Sequence, residues 1–202
     1  GSAGEGGGEI RCRISNIKYQ KSNIKYEGEY CLSEVEGIPM YDSIKNFAKQ
    51  FEYEPVIENS RRLKAFKKFV VVGMGGSRLP ALIAKSADPS LPLVIHNDYG
   101  LPALPEAEMR QNLIILSSYS GNTEEVLDAY ALARRKKYVV AAIAVGGKLL
   151  RMAKRDGAPH IALPDTGIQP RSAIGYSLRA LLRLMGERDM FRETSKLGKS
   201  LK

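Results

Sequence analysis

The stretch that decides the fold is Asn-Leu-Ile-Ile-Leu-Ser-Ser-Tyr-Ser-Gly-Asn-Thr-Glu-Glu, residues 112–125. Leu113 to Leu116 form a short apolar run, which is typical of a strand buried on both faces. The residues that follow are small and rich in hydroxyl groups, and from Thr123 the apolar residues recur at the spacing of one helix face. A buried strand, a short turn and a helix together form the repeating unit of a parallel sheet.

The turn between this strand and this helix is suited to binding an anion. A helix N-terminus presents free backbone N–H groups and the positive end of the helix dipole. Ser118, Ser120 and Thr123 add hydroxyl donors, and Gly121 and Asn122 complete the turn. One hydroxyl would be explained as a helix cap, whereas three around a glycine favour a phosphate-binding site.

The rest of the chain repeats the alternation of strand and helix. The predicted strands are 69–72, 91–95, 113–116, 138–145 and 160–163, and the predicted helices are 41–52, 59–67, 79–86, 123–136, 148–155 and 172–185. Five buried strands separated by helices predict an α/β fold, a three-layer α/β/α sandwich around a doubly wound five-stranded parallel sheet. Ligands bind such sheets at the carboxyl ends of the strands. Four loops that follow predicted strands should therefore meet at one edge: 73–77, 117–123, 146–147 and 169–171.

The chain divides into a main domain and shorter flanking segments. Residues 1–9 are interpreted as a linker or expression scar, 10–39 as a β-rich appendage, 40–190 as the main domain and 191–202 as a C-terminal tail. In the appendage, polar and β-branched residues alternate, which favours a hairpin or small sheet. The cysteines, Cys12 and Cys31, both lie there without metal-ligand spacing, so we expect reduced thiols.

The composition argues against several classes of function. Lys and Arg number 31 against 22 Asp and Glu, but the basic clusters fall on predicted helices without interleaved aromatic residues, so we expect no nucleic-acid binding. No apolar run approaches the roughly 18 residues of a membrane helix. No signal peptide is visible, so no membrane partner and a cytoplasmic location are expected. His96 and His160 are single histidines at strand ends, and without a zinc motif we expect no metal.

Three motifs together carry a resemblance to a known family. Ser-Tyr-Ser-Gly-Asn-Thr-Glu at 118–124 resembles the signature of sugar isomerase (SIS) domains, which bind phosphosugars. Gly-Met-Gly-Gly-Ser at 73–77 and Gln-Pro-Arg-Ser at 169–172 are similar to companion motifs of the bifunctional phosphoglucose/phosphomannose isomerases. The resemblance covers about residues 40–190. It implies a flavodoxin-like SIS fold and aldose–ketose isomerisation in glycolysis and gluconeogenesis.

These motifs suggest roles for individual residues. Gly75 and Gly76 either let the backbone approach a sugar or make a tight strand-to-helix turn, and Ser77 offers a hydroxyl. By resemblance, Arg171 supports an enediolate intermediate, since a guanidinium can stabilise an oxyanion; a surface salt bridge is the alternative. A nicotinamide-binding fingerprint is disfavoured because Arg78 occupies the position of its third glycine. No cofactor is therefore expected.

Self-association is also expected. SIS domains, by resemblance, pair through helices, which implies a homodimer. The last predicted helix supports this because it carries more apolar residues than one core needs: Ile174, Leu178, Leu181, Leu182 and Met185.

The resemblance implies that the groups that transfer protons lie outside this chain. In the resembled family a glutamate base and a ring-opening histidine belong to a second SIS domain. None of the nearby glutamates matches that base: Glu106, Glu108, Glu124 and Glu125. We therefore interpret the chain as the phosphosugar-binding part of an isomerase of glucose 6-phosphate, fructose 6-phosphate and mannose 6-phosphate, inactive or weakly active alone. A non-catalytic module that senses a phosphosugar and an oligomerisation scaffold remain as alternatives.

Overall fold

The computed structural model describes residues 39–63 and 65–201, and residues 43–202 form one compact unit. Its strands are β1 Lys68–Gly73, β2 Leu93–His96, β3 Asn112–Ser117, β4 Val140–Ala144 and β5 His160–Ala162. They form one five-stranded parallel sheet in the order β2-β1-β3-β4-β5, so the predicted sheet is confirmed. Residues 10–38, nearly all of the predicted appendage, lie outside the described part of the chain.

The sheet order places two strand ends side by side near its centre. From β1 the chain moves to β2 on one side, then crosses back to β3 and continues outward through β4 and β5. The last residue of β1, Gly73, pairs with the last residue of β3, Ser117. The loops that follow these two strands therefore start next to each other. A reversal of strand order of this kind is where doubly wound sheets bind ligands.

Helices cover both faces of the sheet. The described helices are α1 Pro39–Lys45, α2 Leu79–Ala87, α3 Glu106–Met109, α4 Glu124–Arg135, α5 Gly147–Arg155, α6 Ile174–Met185 and α7 Arg188–Ser200. On one face, α2 and α6 pack on alternate strand residues such as Val71 and Ile115. On the other, α4 and α5 pack on Val70 and Ile114. The predicted three-layer sandwich is confirmed, and none of the described helices is long and apolar enough to cross a membrane.

The predicted helix 59–67 is wrong. It is reduced to a 3-10 turn, Ser60–Arg62. Asn59, just before the turn, has a left-handed backbone with a φ of 56°. The preceding residue, Glu58, exchanges backbone hydrogen bonds of 2.9 and 3.1 Å with His160 in an antiparallel bridge. Leu63, in the middle of the predicted helix, has an extended backbone with φ −86° and ψ 110°, so a continuous helix over 59–67 cannot form.

Both ends of the described unit differ from prediction. The predicted helix 41–52 is divided into α1 and a 3-10 helix, Phe47–Glu52, and most of the predicted tail 191–202 belongs to α7. This helix packs closely on the 3-10 helix, because a Cβ added at Gly198 would lie 2.7 Å from the Cβ of Phe51. Small residues at such a contact weaken the hydrophobic pattern that identifies a packed helix. The compact unit thus extends beyond the predicted boundary at residue 190.

A buried arginine joins α7 to the rest of the unit. Arg179 of α6 is fully buried and donates hydrogen bonds to Thr194 and Ser195 of α7, at 3.0 and 2.8 Å. Its guanidinium also lies 3.9 Å from the ring centroid of Phe191 and donates to Glu54 at 2.6 Å. Burial lowers the pKa of Arg179, and the carboxylate of Glu54 opposes that shift.

The predicted surplus of apolar residues on the last helix is not found. Leu178, Leu181, Leu182 and Met185 are buried within the compact unit itself, between the sheet and its neighbouring helices, and Ile174 is half-buried. This reason for expecting a homodimer is therefore wrong. Exposed apolar side chains occur at other places, among them Leu82 and Ile83 on α2 and Leu197 on α7.

Candidate functional site

The hydroxyl-rich turn after β3 is closed at its base by its own side chains. Ser118 is buried, its Oγ lies 2.8 Å from the Oγ1 of Thr123, and it accepts a hydrogen bond of 3.1 Å from the N–H of Gly121. Ser120 projects outward and is exposed. Two of the predicted hydroxyl donors, those of Ser118 and Thr123, are thus brought together, and Ser120 lies at the rim.

Two glycines allow this turn to pack directly against the loop before α5. Gly121 and Gly147 have φ values of 69° and 73°, which only glycine adopts readily. A Cβ at Gly121 would lie 1.9 Å from the carbonyl oxygen of Gly146, and one at Gly147 would lie 2.3 Å from that of Ser120. The N–H of Leu149 also donates to the carbonyl oxygen of Gly121, at 2.9 Å. The expected meeting of loops 117–123 and 146–147 at this edge therefore occurs.

Asn122 uses its side chain to hold the turn in shape. Its Oδ1 accepts a hydrogen bond of 3.1 Å from the N–H of Lys148, and its Nδ2 donates to the carbonyl oxygen of Ser120 at 3.2 Å. Both the oxygen and the nitrogen of the side-chain amide thus have protein partners. Contact between Asn122 and a ligand stays a prediction.

Free N–H groups line the mouth of the turn. Within the described residues, the backbone N–H groups of Ser120, Thr123, Glu124 and Glu125 have no acceptor. These groups and the N-terminal dipole of α4 favour negative charge. The carboxylate of Glu124 lies 3.5 Å from the hydroxyl of Tyr99, towards the loop after β2. This edge can therefore offer an oxyanion both backbone and hydroxyl donors.

Ser77 connects the glycine loop to the hydroxyl-rich turn. Its Oγ accepts a hydrogen bond of 2.9 Å from the N–H of Tyr119, and its carbonyl oxygen accepts one of 3.1 Å from the Oγ of Ser117. The hydroxyl proton of Ser77 remains able to donate, since both bonds use the residue as an acceptor. The predicted neighbourhood of loops 73–77 and 117–123 is found.

The two glycines of the loop after β1 have different environments. Gly75 is exposed with a φ of 49°, and a Cβ there would meet no atom within 4 Å, so its backbone is open to approach. A Cβ at Gly76 would lie 2.9 Å from the backbone nitrogen of Arg171 and 3.0 Å from the carbonyl carbon of Pro170. Gly76 therefore permits packing of protein on protein, whereas Gly75 fits the predicted approach of a ligand.

Arg171 lies at this same edge, in the 3-10 turn Pro170–Ser172 before α6. Its side chain is exposed, and it makes no ion pair with any described residue. The alternative that it forms a surface salt bridge is thus without support in the described part of the chain. Its charge is available to a ligand.

One buried residue beside this turn was missed at the sequence level. Gln50 is 2% exposed, and its side chain binds the backbone at Ser172 and Gly175. The only signal in the sequence was a polar residue inside the apolar pattern of Phe47 and Phe51. Nothing in that pattern indicated its partner more than 120 residues away.

Other titratable residues lie elsewhere or have protein partners. Glu106 and Glu108 belong to α3, at the opposite edge, where the side chain of Asn112 at the start of β3 donates to the carbonyl oxygen of Glu108 at 2.8 Å. His160 begins β5 and is buried, with its Nδ1 2.9 Å from the carbonyl oxygen of Ala158. No group of three or more His, Cys, Asp or Glu side chains among the described residues could hold a metal ion.

A surface depression of about 270 Å³ lies at that opposite edge, near the starts of β4 and β5. Arg134 and Asp156 line it, but their side chains already pair at 3.5 Å. Since the ligand sites of doubly wound sheets lie at the carboxyl ends of the strands, this depression is not the candidate site.

The fold is that of the SIS domains. A solved Listeria monocytogenes structure, described as a candidate sugar-phosphate isomerase, matches with a TM-score of 0.51 and 13% identity, covering 80% of this chain and 96% of that one. At such low identity the likeness shows the fold alone. No family model matches the chain.

Sequence relatives define the family more closely. A bifunctional phosphoglucose/phosphomannose isomerase from Caldicellulosiruptor bescii is 39% identical over 152 residues, 72% of this chain and 44% of the relative. One from Aquifex aeolicus is 32% identical over 151 residues, 73% of this chain and 45% of the relative. The matched part of the chain is homologous to these isomerases, and the family resemblance is confirmed. The chain spans about half the length of the curated relatives it matches.

Proposed function

We propose that this chain binds phosphosugars and is the substrate-binding part of an isomerase that interconverts glucose 6-phosphate, fructose 6-phosphate and mannose 6-phosphate. The observation that carries the proposal is the edge where β1 and β3 end side by side. There the mouth of the 118–123 turn offers unpaired N–H groups and hydroxyls, and Arg171 lies nearby without a carboxylate partner. Homology to bifunctional phosphoglucose/phosphomannose isomerases supports the choice of substrate.

In this proposal the turn holds the phosphate, and the remaining residues act on the sugar. Ser118, Ser120 and Thr123 contribute hydroxyls, and Gly121 and Asn122 keep the turn in shape. The open backbone at Gly75 and the hydroxyl of Ser77 face the sugar, with Gly76 behind them. Arg171 stabilises the oxyanion of an enediolate.

The test is calorimetric titration of the whole chain with glucose 6-phosphate, against unphosphorylated glucose as the control ligand. Replacing Ser120 and Thr123 by alanine removes two donors to a charged group, each worth about 1.5–3 kcal/mol. We expect affinity to fall at least about a hundredfold. Ser90→Ala is the matched control, because Ser90 is likewise exposed and locally bonded, but precedes β2 at the opposite edge. Equal affinity for glucose 6-phosphate in the folded double variant would reject the phosphate site.

The proposal extends to catalysis and assembly. The base and the ring-opening group would come from protein outside this sequence. A homodimer stays part of the proposal, but it has to use a surface other than the buried face of α6. Leu82 and Ile83 of α2 are exposed apolar candidates, and so are Leu197 and Leu201 near the end of the described chain. By homology the enzyme would serve glycolysis and gluconeogenesis in the cytoplasm.

A non-catalytic phosphosugar sensor is the second candidate. It is favoured by one observation, which is that the carboxylates nearest to the binding groups of this edge, those of Glu124 and Glu125, do not match the base of the resembled family. One experiment distinguishes the substrate-binding part of an isomerase from a sensor. Mixing this chain with the remaining part of a homologous isomerase would restore turnover for a half-enzyme and not for a sensor.

A further inference from the structure

The 3-10 turn that carries Arg171 is held from two sides by groups that do not belong to the turn itself. On one side, the backbone of Gly76 packs directly on Pro170 and Arg171, with no room for a side chain between them. On the other side lies Gln50, from the 3-10 helix Phe47–Glu52. These two contacts come from two separate segments of the chain.

Gln50 uses both ends of its amide on this turn. Its Nε2 donates to the carbonyl oxygen of Ser172 at 2.7 Å, and its Oε1 accepts from the N–H of Gly175 at 2.9 Å. Only this orientation of the amide satisfies both partners, because one is an acceptor and the other a donor. The side chain therefore brackets the junction between the Arg171 turn and α6.

Burying the side-chain amide of Gln50 costs free energy that its hydrogen bonds must offset. The residue is buried among apolar neighbours, Phe47 and Phe51, whose rings pack edge to face at 5.3 Å. A buried amide is tolerated only when it is hydrogen-bonded. The backbone of α6 approaches it closely, because a Cβ at Gly175 would lie 2.6 Å from the Cβ of Gln50. An apolar side chain of similar size would fill the same space without fixing the turn.

We infer that Gln50 is a positioning residue for Arg171. It fixes the peptide at Ser172, while Gly76 packs against the peptide between Pro170 and Arg171, so the exposed guanidinium of Arg171 is attached to a fixed backbone. Preorganisation of this kind raises affinity by lowering the entropy lost on binding. The inference rests on the proposed function, since it requires that Arg171 contact the bound phosphosugar.

A double-mutant cycle separates positioning from mere stability. The dissociation constant for glucose 6-phosphate is measured on the whole chain for wild type, Arg171→Ala, Gln50→Glu and the double variant. Glutamate has the size of glutamine and can still accept from Gly175, but its carboxylate cannot donate to Ser172. We expect Arg171→Ala to weaken binding about tenfold or more. Gln50→Glu should weaken it about fivefold in wild type and less than about twofold when Arg171 is already absent.

A second variant keeps the test decisive if Gln50→Glu fails to fold. Gly76→Ala pushes on the same turn from the other side, so it should show the same dependence on Arg171. Tyr130→Phe is the control for a lost buried hydrogen bond, because Tyr130 binds Asp156 at the opposite edge and should leave affinity unchanged in both backgrounds.

The possible failures are distinguishable. If wild type does not bind glucose 6-phosphate, the proposed function is wrong and the positioning role falls with it. If wild type binds and Arg171→Ala binds equally well, Arg171 does not contact the ligand, and Gln50 has nothing to position. If Arg171→Ala weakens binding but the folded Gln50 or Gly76 variant acts equally in both backgrounds, only the positioning role is overturned.

Discussion

Replacing Gly121 by alanine should damage the fold at the candidate site far more than replacing its neighbour Gly146. Gly121 has a left-handed φ of 69°, and an added Cβ would lie 1.9 Å from the carbonyl oxygen of Gly146. That separation is far below the 3.4 Å of ordinary contact, and the obstructing atom is backbone, which cannot rotate away.

The magnitude follows from two terms. The left-handed conformation costs a residue with a Cβ about 1–2 kcal/mol. Moving one loop to relieve the overlap costs about 1–3 kcal/mol more, by comparison with overpacked cores. The free energy of unfolding should therefore fall by about 2–5 kcal/mol, which lowers the Tm of a domain of this size by about 5–20 °C.

The assay is thermal unfolding followed by circular dichroism, with Gly146→Ala as the matched control. Gly146 has an extended φ of −172°, and a Cβ there would meet no atom within 4 Å. This control should change the free energy of unfolding by no more than about 0.5 kcal/mol. A Gly121→Ala protein as stable as Gly146→Ala would refute the close crossing of the two loops and the reasoning built on it.

Three further predictions test other parts of the molecule. In urea unfolding, Glu54→Ala should lower the free energy of unfolding by about 1–3 kcal/mol, because the buried guanidinium of Arg179 loses its carboxylate partner. The control Glu193→Ala removes one partner of the exposed ion pair with Lys196 and should lower it by less than about 0.5 kcal/mol. The hydrogen bond from Arg155 holds the pKa of Asp156 below its ordinary value of 3.8. The ionised Asp156 carboxylate therefore stabilises the folded state above pH 3.8, and this stabilisation is lost as the pH falls through the lowered pKa of the folded state. Asp156→Asn should therefore flatten the acid limb of the stability curve below pH 3.8, and an unchanged limb would contradict this assignment. The purified chain should convert no measurable fructose 6-phosphate in a coupled assay; turnover that disappears in Arg171→Ala would show that the base lies within these residues.

The sheet could be predicted from the sequence because its strands are buried on both faces. Their apolar runs need no partner to be recognised, and each predicted strand end lies within two residues of the observed one. The order of the strands was not predicted. It also gave the strongest support for the site, because the pairing of Gly73 with Ser117 brings two separate motifs together.

The features that could not be predicted depend on contacts between distant segments. At the start of the predicted helix 59–67, Asn59 is left-handed and its side chain donates to the carbonyl oxygen of Ala158, about 100 residues later, and Leu63 is extended, so the local helical pattern was overridden. The last helix, α7, depends on the buried guanidinium of Arg179 and the close approach at Gly198, and neither leaves a hydrophobic pattern. The hydrogen bonds of Gln50 could not be predicted for the same reason, since its partners follow from the tertiary fold alone.

In the proposed function this edge binds a phosphosugar, and the base for its carbon-bound proton is expected from elsewhere. A base must lie within hydrogen-bond reach of the carbon-bound proton, through a side chain or one water. Glu106 and Glu108 lie at the opposite edge of the sheet, and Glu124 lies beside Tyr99. The donors at the 118–123 turn and the charge of Arg171 stabilise negative charge but accept no proton. In the proposed function, binding and charge stabilisation belong to this unit, and general acid–base catalysis, commonly worth about 10²–10⁴ in rate, is expected from elsewhere.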